Sequence, residues 1–252
     1  MAERKRRYRA EVKRAANAAS FLKDGHVMLD APQRDARLTE EAIRGVNFKF
    51  MSDFAHPNRV DKGRKMYAFE LSYNALGMPD NEEVERLIAR YLDDCFDRFC
   101  EHVGMAVGLH SLDRPSVLWT LREPRTVQRL HLDFADIPPL QLDKHQFSVL
   151  VPIGANGAQL EICPTAWAFI RQKQRDGVVG DVIGVVDELN ETLTGREERE
   201  FLSIKPGSFL VFAQHFPHAG SLAAGEANHR AHGYFCTRNR RAPVDSVVLI
   251  SE

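Results

Sequence analysis

Cysteine is scarce in this chain of 252 residues, and the four present, Cys95, Cys100, Cys163 and Cys236, never stand in a CxxC spacing. That excludes a zinc ribbon or a thioredoxin-type redox pair and leaves no basis for a disulfide framework. Buried free thiols in a reducing compartment are expected instead. Long hydrophobic runs are also missing: no window approaches the roughly 18 apolar residues that cross a bilayer. The N-terminus lacks an apolar stretch followed by small residues, so no secretory leader is expected and a cytoplasmic location follows by default. Charge of one sign is not in excess either. Lys+Arg total 34 against 35 Asp+Glu, for a formal net charge of -1, which disfavours nucleic acid or anionic membrane as a partner for the whole surface. With no repeat, low-complexity tract or domain-sized linker, the chain reads as one domain over 1–252, mostly helical over 1–104 and β-rich over 105–252.

What is present is an ordinary globular balance of 44% apolar and 27% charged residues, enough to build a core. Tyr8, Val12, Ala15, Ala19 and Leu22 recur at helical spacing, while Arg4, Lys5, Arg6, Arg7, Arg9, Lys13 and Arg14 cover the other side. The basic run is broken by Glu3 and Glu11 and reads as the solvated face of a packing helix. Gly25 ends this helix and a short strand follows over His26–Asp30. Ser52–Lys65 reads as a loop. Asp80 and Glu83 resemble an acidic capping box, and the stripe from Val84 to Val103 predicts a core-packing helix closed by Gly104.

Beyond residue 105 the runs become short and β-rich, with strands expected over Met105–Leu109, Ser116–Arg122, Val127–Phe134, Gln146–Ile153, Gln159–Cys163, Asp181–Val186, Phe201–Ile204, Ser208–Ala213, Arg230–Thr237 and Val244–Ile250. Gly154-Ala155-Asn156-Gly157 carries a hairpin signal, and Lys205-Pro206-Gly207-Ser208 the residue chemistry of a type II turn. Many short strands with such turns predict a sandwich or barrel, for which a jelly roll is one form. The fold class is therefore mainly β with flanking helices (α+β), the helices packed outside the β core.

Histidine, unlike cysteine, is plentiful, with ten residues, so metal chemistry here leans on imidazole and carboxylate. His131 and Asp133 flank Leu132 within an expected strand, where residues two apart share a face. Such a pattern alone occurs about once by chance in a chain with this many His and Asp. It gains weight from a second segment. The apolar strand Ser208–Ala213 runs directly into His215-Phe216-Pro217-His218-Ala219-Gly220, and Arg230 opens a further strand-like run. His215 is an alternative to His218 as a ligand. The two HxxH pairs, His215/His218 and His229/His232, would allow zinc, but residues three apart on a strand face opposite ways. His232 shares a face with Arg230, and Trp119, Phe134 and Tyr234 are candidates to shape a pocket.

This ordered set resembles the Fe(II)- and 2-oxoglutarate-dependent dioxygenases, in particular the phytanoyl-CoA-dioxygenase-like branch, and Phe21–Leu29 resembles the opening of that branch. The resemblance implies a double-stranded β-helix (jelly-roll, cupin-like) core. It implies an iron held by His131, Asp133 and His218, the two-His-one-carboxylate set that leaves open positions on the metal. It assigns Arg230 to the far carboxylate of 2-oxoglutarate, through bidentate hydrogen bonding. The activity implied uses O2 to hydroxylate a small or medium organic substrate, with release of succinate and CO2. Asp133 separates the chain from the halogenase variant, Arg230 from prolyl-hydroxylase-like members that carry Lys there, and Cys236 from the nucleic-acid demethylases that carry a second Arg. Gly220 stands where many members place a hydroxyl residue. The alternatives are a cupin-like binding or regulatory module without catalysis, and an oxygenase that modifies protein or nucleic acid.

Overall fold

The longest apolar stripe forms α3, Glu82–Val103, whose buried residues include Leu87, Ile88, Leu92, Phe96 and Phe99. Three acidic residues, Glu82, Glu83 and Glu85, occupy its first turn, where the positive end of the helix dipole favours them. The cap itself falls one residue beyond the Asp80 expected from sequence. Asn81 accepts hydrogen bonds on Oδ1 from the backbone N–H of Glu83 (3.0 Å) and Val84 (3.2 Å), which satisfies two of the otherwise unpaired first-turn donors. Gly104 closes the helix, its N–H bonding to the carbonyl of Cys100.

The computed structural model describes residues 2–44, 48–50, 59–61, 64–66, 74–79, 81–120, 131–132, 142, 146–155, 157–177, 185, 188–189, 199–213, 215–220, 229–237 and 248–249. In chain order the elements are α1 Ala2–Asp24, β1 His26–Asp30, α2 Glu40–Arg44, β2 Phe48–Phe50, β3 Arg59–Asp61, β4 Arg64–Met66, β5 Asn74–Pro79 and α3, followed by β6 His110–Thr120, β7 His131–Leu132, β8 Gln146–Pro152, β9 Ala158–Ile162, α4 Pro164–Arg175, β10 Glu200–Ile204, β11 Ser208–Ala213, β12 His218–Gly220, β13 His229–Thr237 and β14 Val248–Leu249.

Among the described residues the strands form a seven-stranded sheet in the order β1-β11-β8-β13-β6-β5-β2, a five-stranded sheet in the order β10-β9-β12-β7-β14, and the separate pair β3-β4. Every pairing is antiparallel, so with its helices the fold is mixed α+β. Strands consecutive in sequence repeatedly enter opposite sheets. The Gly154–Gly157 turn therefore does not close a hairpin: β8 and β9, on either side of it, lie in different sheets. The turn after β10 behaves alike, carrying the chain into β11 of the other sheet. There Ser208 N–H bonds to the Lys205 carbonyl at 3.0 Å and Gly207 adopts φ 81°, the left-handed third position that a type II turn requires.

The large sheet turns one face to α3. Phe96 stacks on Phe235 of β13 at 4.3 Å between ring centroids and 11° between planes, and Phe147 of β8 lies 5.3 Å from Phe96. A Cβ on Gly233 would stand 2.7 Å from Leu112 and 3.0 Å from Leu92 of α3, so the bare backbone there is what lets helix and sheet close up. Because side chains alternate along a strand, Arg230, His232 and Tyr234 point to the opposite face, toward the second sheet.

Four expectations need correction. The segment Met105–Leu109 is a turn rather than a strand, held where Gly108 N–H bonds to Asp97 Oδ1 at 3.0 Å; the strand begins at His110. Within the expected loop Ser52–Lys65, residues 59–61 and 64–66 pair as β3 and β4. The segment after the strand expected over Gln159–Cys163, where no helix was expected, is α4, Pro164–Arg175, with Pro at its start, where a missing N–H costs nothing. Finally, the apolar stripe expected on α1 is not its packed face: Ala15 and Ala19 are exposed and Leu22 is only half-buried. Tyr8 and Val12 are 67% and 51% exposed, while Phe21 is buried and Asn17 Nδ2 donates to the His102 carbonyl at the end of α3 (2.9 Å). Of the other expected strands, Val127–Phe134 is described only at 131–132; of Asp181–Val186 only Val185 is described, and it is helical rather than extended. None of the described helices is long and apolar enough to cross a membrane.

Candidate metal and cosubstrate site

β7 and β12 meet at one register position, where the partner of His218 is His131. On its other side His218 pairs with Ile162 of β9. His131, His218 and Ile162 therefore occupy one register row across β7, β12 and β9. The His218 ring is buried and packs edge-on against Phe212 of the large sheet at 4.6 Å, which puts that ring between the two sheets.

The hydrogen bonding of His218 fixes its tautomer. Nδ1 lies 2.8 Å from the Phe216 carbonyl, and a carbonyl can only accept, so Nδ1 carries the proton and Nε2 keeps its lone pair. A main-chain carbonyl behind one ring nitrogen is the usual means of orienting a histidine whose other nitrogen binds a metal. Burial pushes the imidazole down to about 4, against a smaller upward pull from that hydrogen bond, so the ring is neutral at physiological pH, the form that ligates.

His215, the alternative ligand, is engaged elsewhere. Its Nε2 lies 3.0 Å from Gln174 Nε2 on α4, and its ring centroid is 5.3 Å from that of Trp167. Asp133, the expected carboxylate ligand, lies outside the described residues, as does Phe134.

Arg230 faces this row from the large sheet. It is fully buried, and its Nη1 donates to the Gln159 carbonyl of β9 at 3.3 Å, bridging the two sheets. Burial pushes its guanidinium down to about 10, still fully charged at neutral pH. His232, two residues along the same strand, is buried and held near 3, first by desolvation and then by the proximity of His218 and Arg230; its ring meets Tyr234 edge-on at 4.5 Å. The site thus combines a neutral histidine protonated at Nδ1, a second histidine at the register position beside it, and a buried permanent cation. A divalent metal suits the first two, and a carboxylate suits the cation. The Phe216 and Gln159 carbonyls, which orient His218 and Arg230, were not legible in the sequence because main-chain acceptors leave no residue-type signal. The helix that holds His215 could have been found from Pro164 and the spacing of Trp167, Ile170, Arg171 and Gln174.

No protein-family model matches the chain, and no curated protein matches it in sequence. Solved structures do match in fold. HygX from Streptomyces hygroscopicus, with nickel, 2-oxoglutarate and hygromycin B bound, gives a TM-score of 0.51 at 14% identity, covering 88% of this chain and 86% of that one. The epimerase SnoN, in complex with Fe3+, alpha ketoglutarate and nogalamycin RO, gives 0.50 at 12% identity over 92% and 86% of the two chains. The carbocyclase SnoK from nogalamycin biosynthesis, described as non-heme and alpha ketoglutarate dependent, gives 0.50 at 11% identity over 87% and 83%. At these identities the likeness is one of fold: this chain is similar in architecture to enzymes that use 2-oxoglutarate and a non-heme metal.

Proposed function

We propose that the chain is an Fe(II)- and 2-oxoglutarate-dependent oxygenase, similar to the phytanoyl-CoA-dioxygenase-like branch, that hydroxylates a small or medium organic substrate. The observation that carries this reading is the Phe216 carbonyl holding the proton of buried His218 at Nδ1, with His218 in register with His131 and across the sheets from buried Arg230. The strand orders β6-β13-β8-β11 and β7-β12-β9-β10 within the two sheets support a double-stranded β-helix, and the chain would act as one unit.

In this reading His131, Asp133 and His218 hold iron, and Arg230 receives the distal carboxylate of 2-oxoglutarate. Bound iron supplies the oxygen chemistry, with the balance R–H + O2 + 2-oxoglutarate → R–OH + succinate + CO2. The chain's own residues prepare that site. The Phe216 carbonyl holds the His218 proton at Nδ1, so metal binding needs no deprotonation there. Phe212 and Ile162 pack the surroundings of His218 with carbon and keep water from it. Arg230, buried and tied to Gln159, offers a fixed charge to one end of the cosubstrate. His232, neutral beside it, adds no competing positive charge.

The test is anaerobic reconstitution with Fe(II) and 2-oxoglutarate, followed by O2 and a succinate assay across a metabolite panel. Stoichiometric iron and substrate-stimulated succinate are the expected result. Iron binding without any succinate would favour a non-catalytic cupin-like module, and absence of iron binding would overturn the reading altogether.

A further inference from the structure

Away from His218 and Arg230, residues of α1, β1, α4 and β10 enclose a cleft of about 690 Å³. Its apolar wall includes Val27 and Met28 of β1, Trp167 and Ala168 of α4, and Phe216. Arg171 also lines it, and Arg171 is poorly provided for. It is only 9% exposed, and Nη1 donates to Gln174 Oε1 at 3.0 Å. The guanidinium carbon stands 5.6 Å over the Trp167 ring. Its Nε is buried with no hydrogen-bond acceptor.

No carboxylate offsets this charge among the described residues. The charged neighbour that acts on it is Arg175, of the same sign, and together with burial it pushes Arg171 down to about 10. A buried, uncompensated guanidinium costs stability, and a bound carboxylate would supply both the missing charge and a bidentate acceptor. The cleft's own carboxylates, Asp24 and Glu200, act on His26, drawing its pKa upward against the larger effect of burial. The cleft therefore has a basic side on α4 and an acidic side around His26, with carbon between them.

We propose that this cleft is a second binding site, for an amphipathic organic monocarboxylate whose carboxylate pairs with Arg171 and whose apolar body lies on Met28, Trp167 and Phe216. Phe216 belongs to both places: its ring lines this cleft, and its carbonyl orients His218. The site does not depend on the iron assignment, and its test reads binding rather than turnover.

Octanoate is the probe, titrated calorimetrically into the full chain, with octan-1-ol as the uncharged control. Saturable octanoate binding with Kd of about 1 mM or tighter is expected, and at least tenfold weaker binding of octan-1-ol. Arg171→Met should weaken octanoate at least tenfold without changing the response to octan-1-ol. Should that variant fail to fold, Ala168→Trp, at an exposed position of α4, fills the cleft from its mouth and should abolish binding. Saturating 2-oxoglutarate should leave the octanoate isotherm in place. Absence of saturable binding, equal affinity for octan-1-ol, unchanged affinity in either folded variant, or competitive displacement by 2-oxoglutarate would each overturn the proposal.

Discussion

His131 and His218 are paired residue to residue where the short strands β7 and β12 meet. They are 87 positions apart in sequence (218 − 131), and only the pairing of those strands makes them neighbours. If both ligate iron, replacing either with Ala should lower Fe(II) binding below detection in anaerobic calorimetry. His215→Ala should leave it within about threefold, because that ring is committed to Gln174 on α4. Retention of iron by His218→Ala together with its loss in His215→Ala would exchange the roles of the two.

Arg230 sits between Leu118 and Pro152 in the register of the large sheet and reaches across to Gln159. Breaking one partner of a buried charge pair costs about 2–5 kcal/mol. Arg230→Gln should therefore raise KM for 2-oxoglutarate by at least about thirtyfold, with a smaller fall in kcat. Arg230→Lys, which keeps the charge but not the planar fork, should fall between. A fall in kcat at unchanged KM would place Arg230 outside the cosubstrate site.

What the sequence disclosed and what it withheld divide along physical lines. The α3 stripe, the turn at Pro206-Gly207 and the strand around Arg230 were legible because their signals are local: helical period, residue-specific turn geometry, alternation. The cap on α3 slipped by one residue because Asp80 and Asn81 are both good caps and side-chain geometry decides between them. The stripe on α1 was misleading from Tyr8 to Ala19, since periodicity says which residues share a face but not whether anything covers it. The Gly154–Gly157 turn looked like a hairpin because turn chemistry is blind to which sheet receives the next strand. At the site, His131, His218 and Arg230 were legible as a spaced pattern. The neutrality of His218 and the charge separation in the Arg171 cleft arise from packing between elements distant in sequence, and no local signal encodes them.

All four cysteines are free and buried. Burial raises the Cys95 thiol, with Asp94 adding to the effect, and pushes Cys100 up to about 12. A raised thiol pKa means less thiolate at pH 8, and thiolate is the reactive form. Both thiols should therefore resist Ellman's reagent at pH 8 in the folded protein, and Cys163 and Cys236 should resist it through burial alone. All four should react within minutes in 6 M guanidinium chloride. Rapid modification of Cys95 or Cys100 under native conditions would show that the α3–sheet core opens readily.

Gly25 joins α1 to β1 with φ 76°, and its N–H bonds to the Phe21 carbonyl while its own carbonyl accepts from Ala213. A side chain there meets two obstacles. The left-handed backbone costs a residue with a Cβ about 1–2 kcal/mol, and the Cβ would stand 2.5 Å from both Phe216 and Trp167, adding roughly 1–3 kcal/mol of overpacking. Gly25→Ala should lower Tm by roughly 5–15 °C. It should also act at a distance, because the ring it displaces belongs to the residue whose carbonyl holds Nδ1 of His218. If that carbonyl orients a metal ligand, Fe(II) affinity of the folded variant should fall by about ten- to a hundredfold, the usual cost of losing an orienting partner. A Gly25→Ala protein that melts early yet binds iron as tightly as the parent would separate the packing of Phe216 from the chemistry of His218.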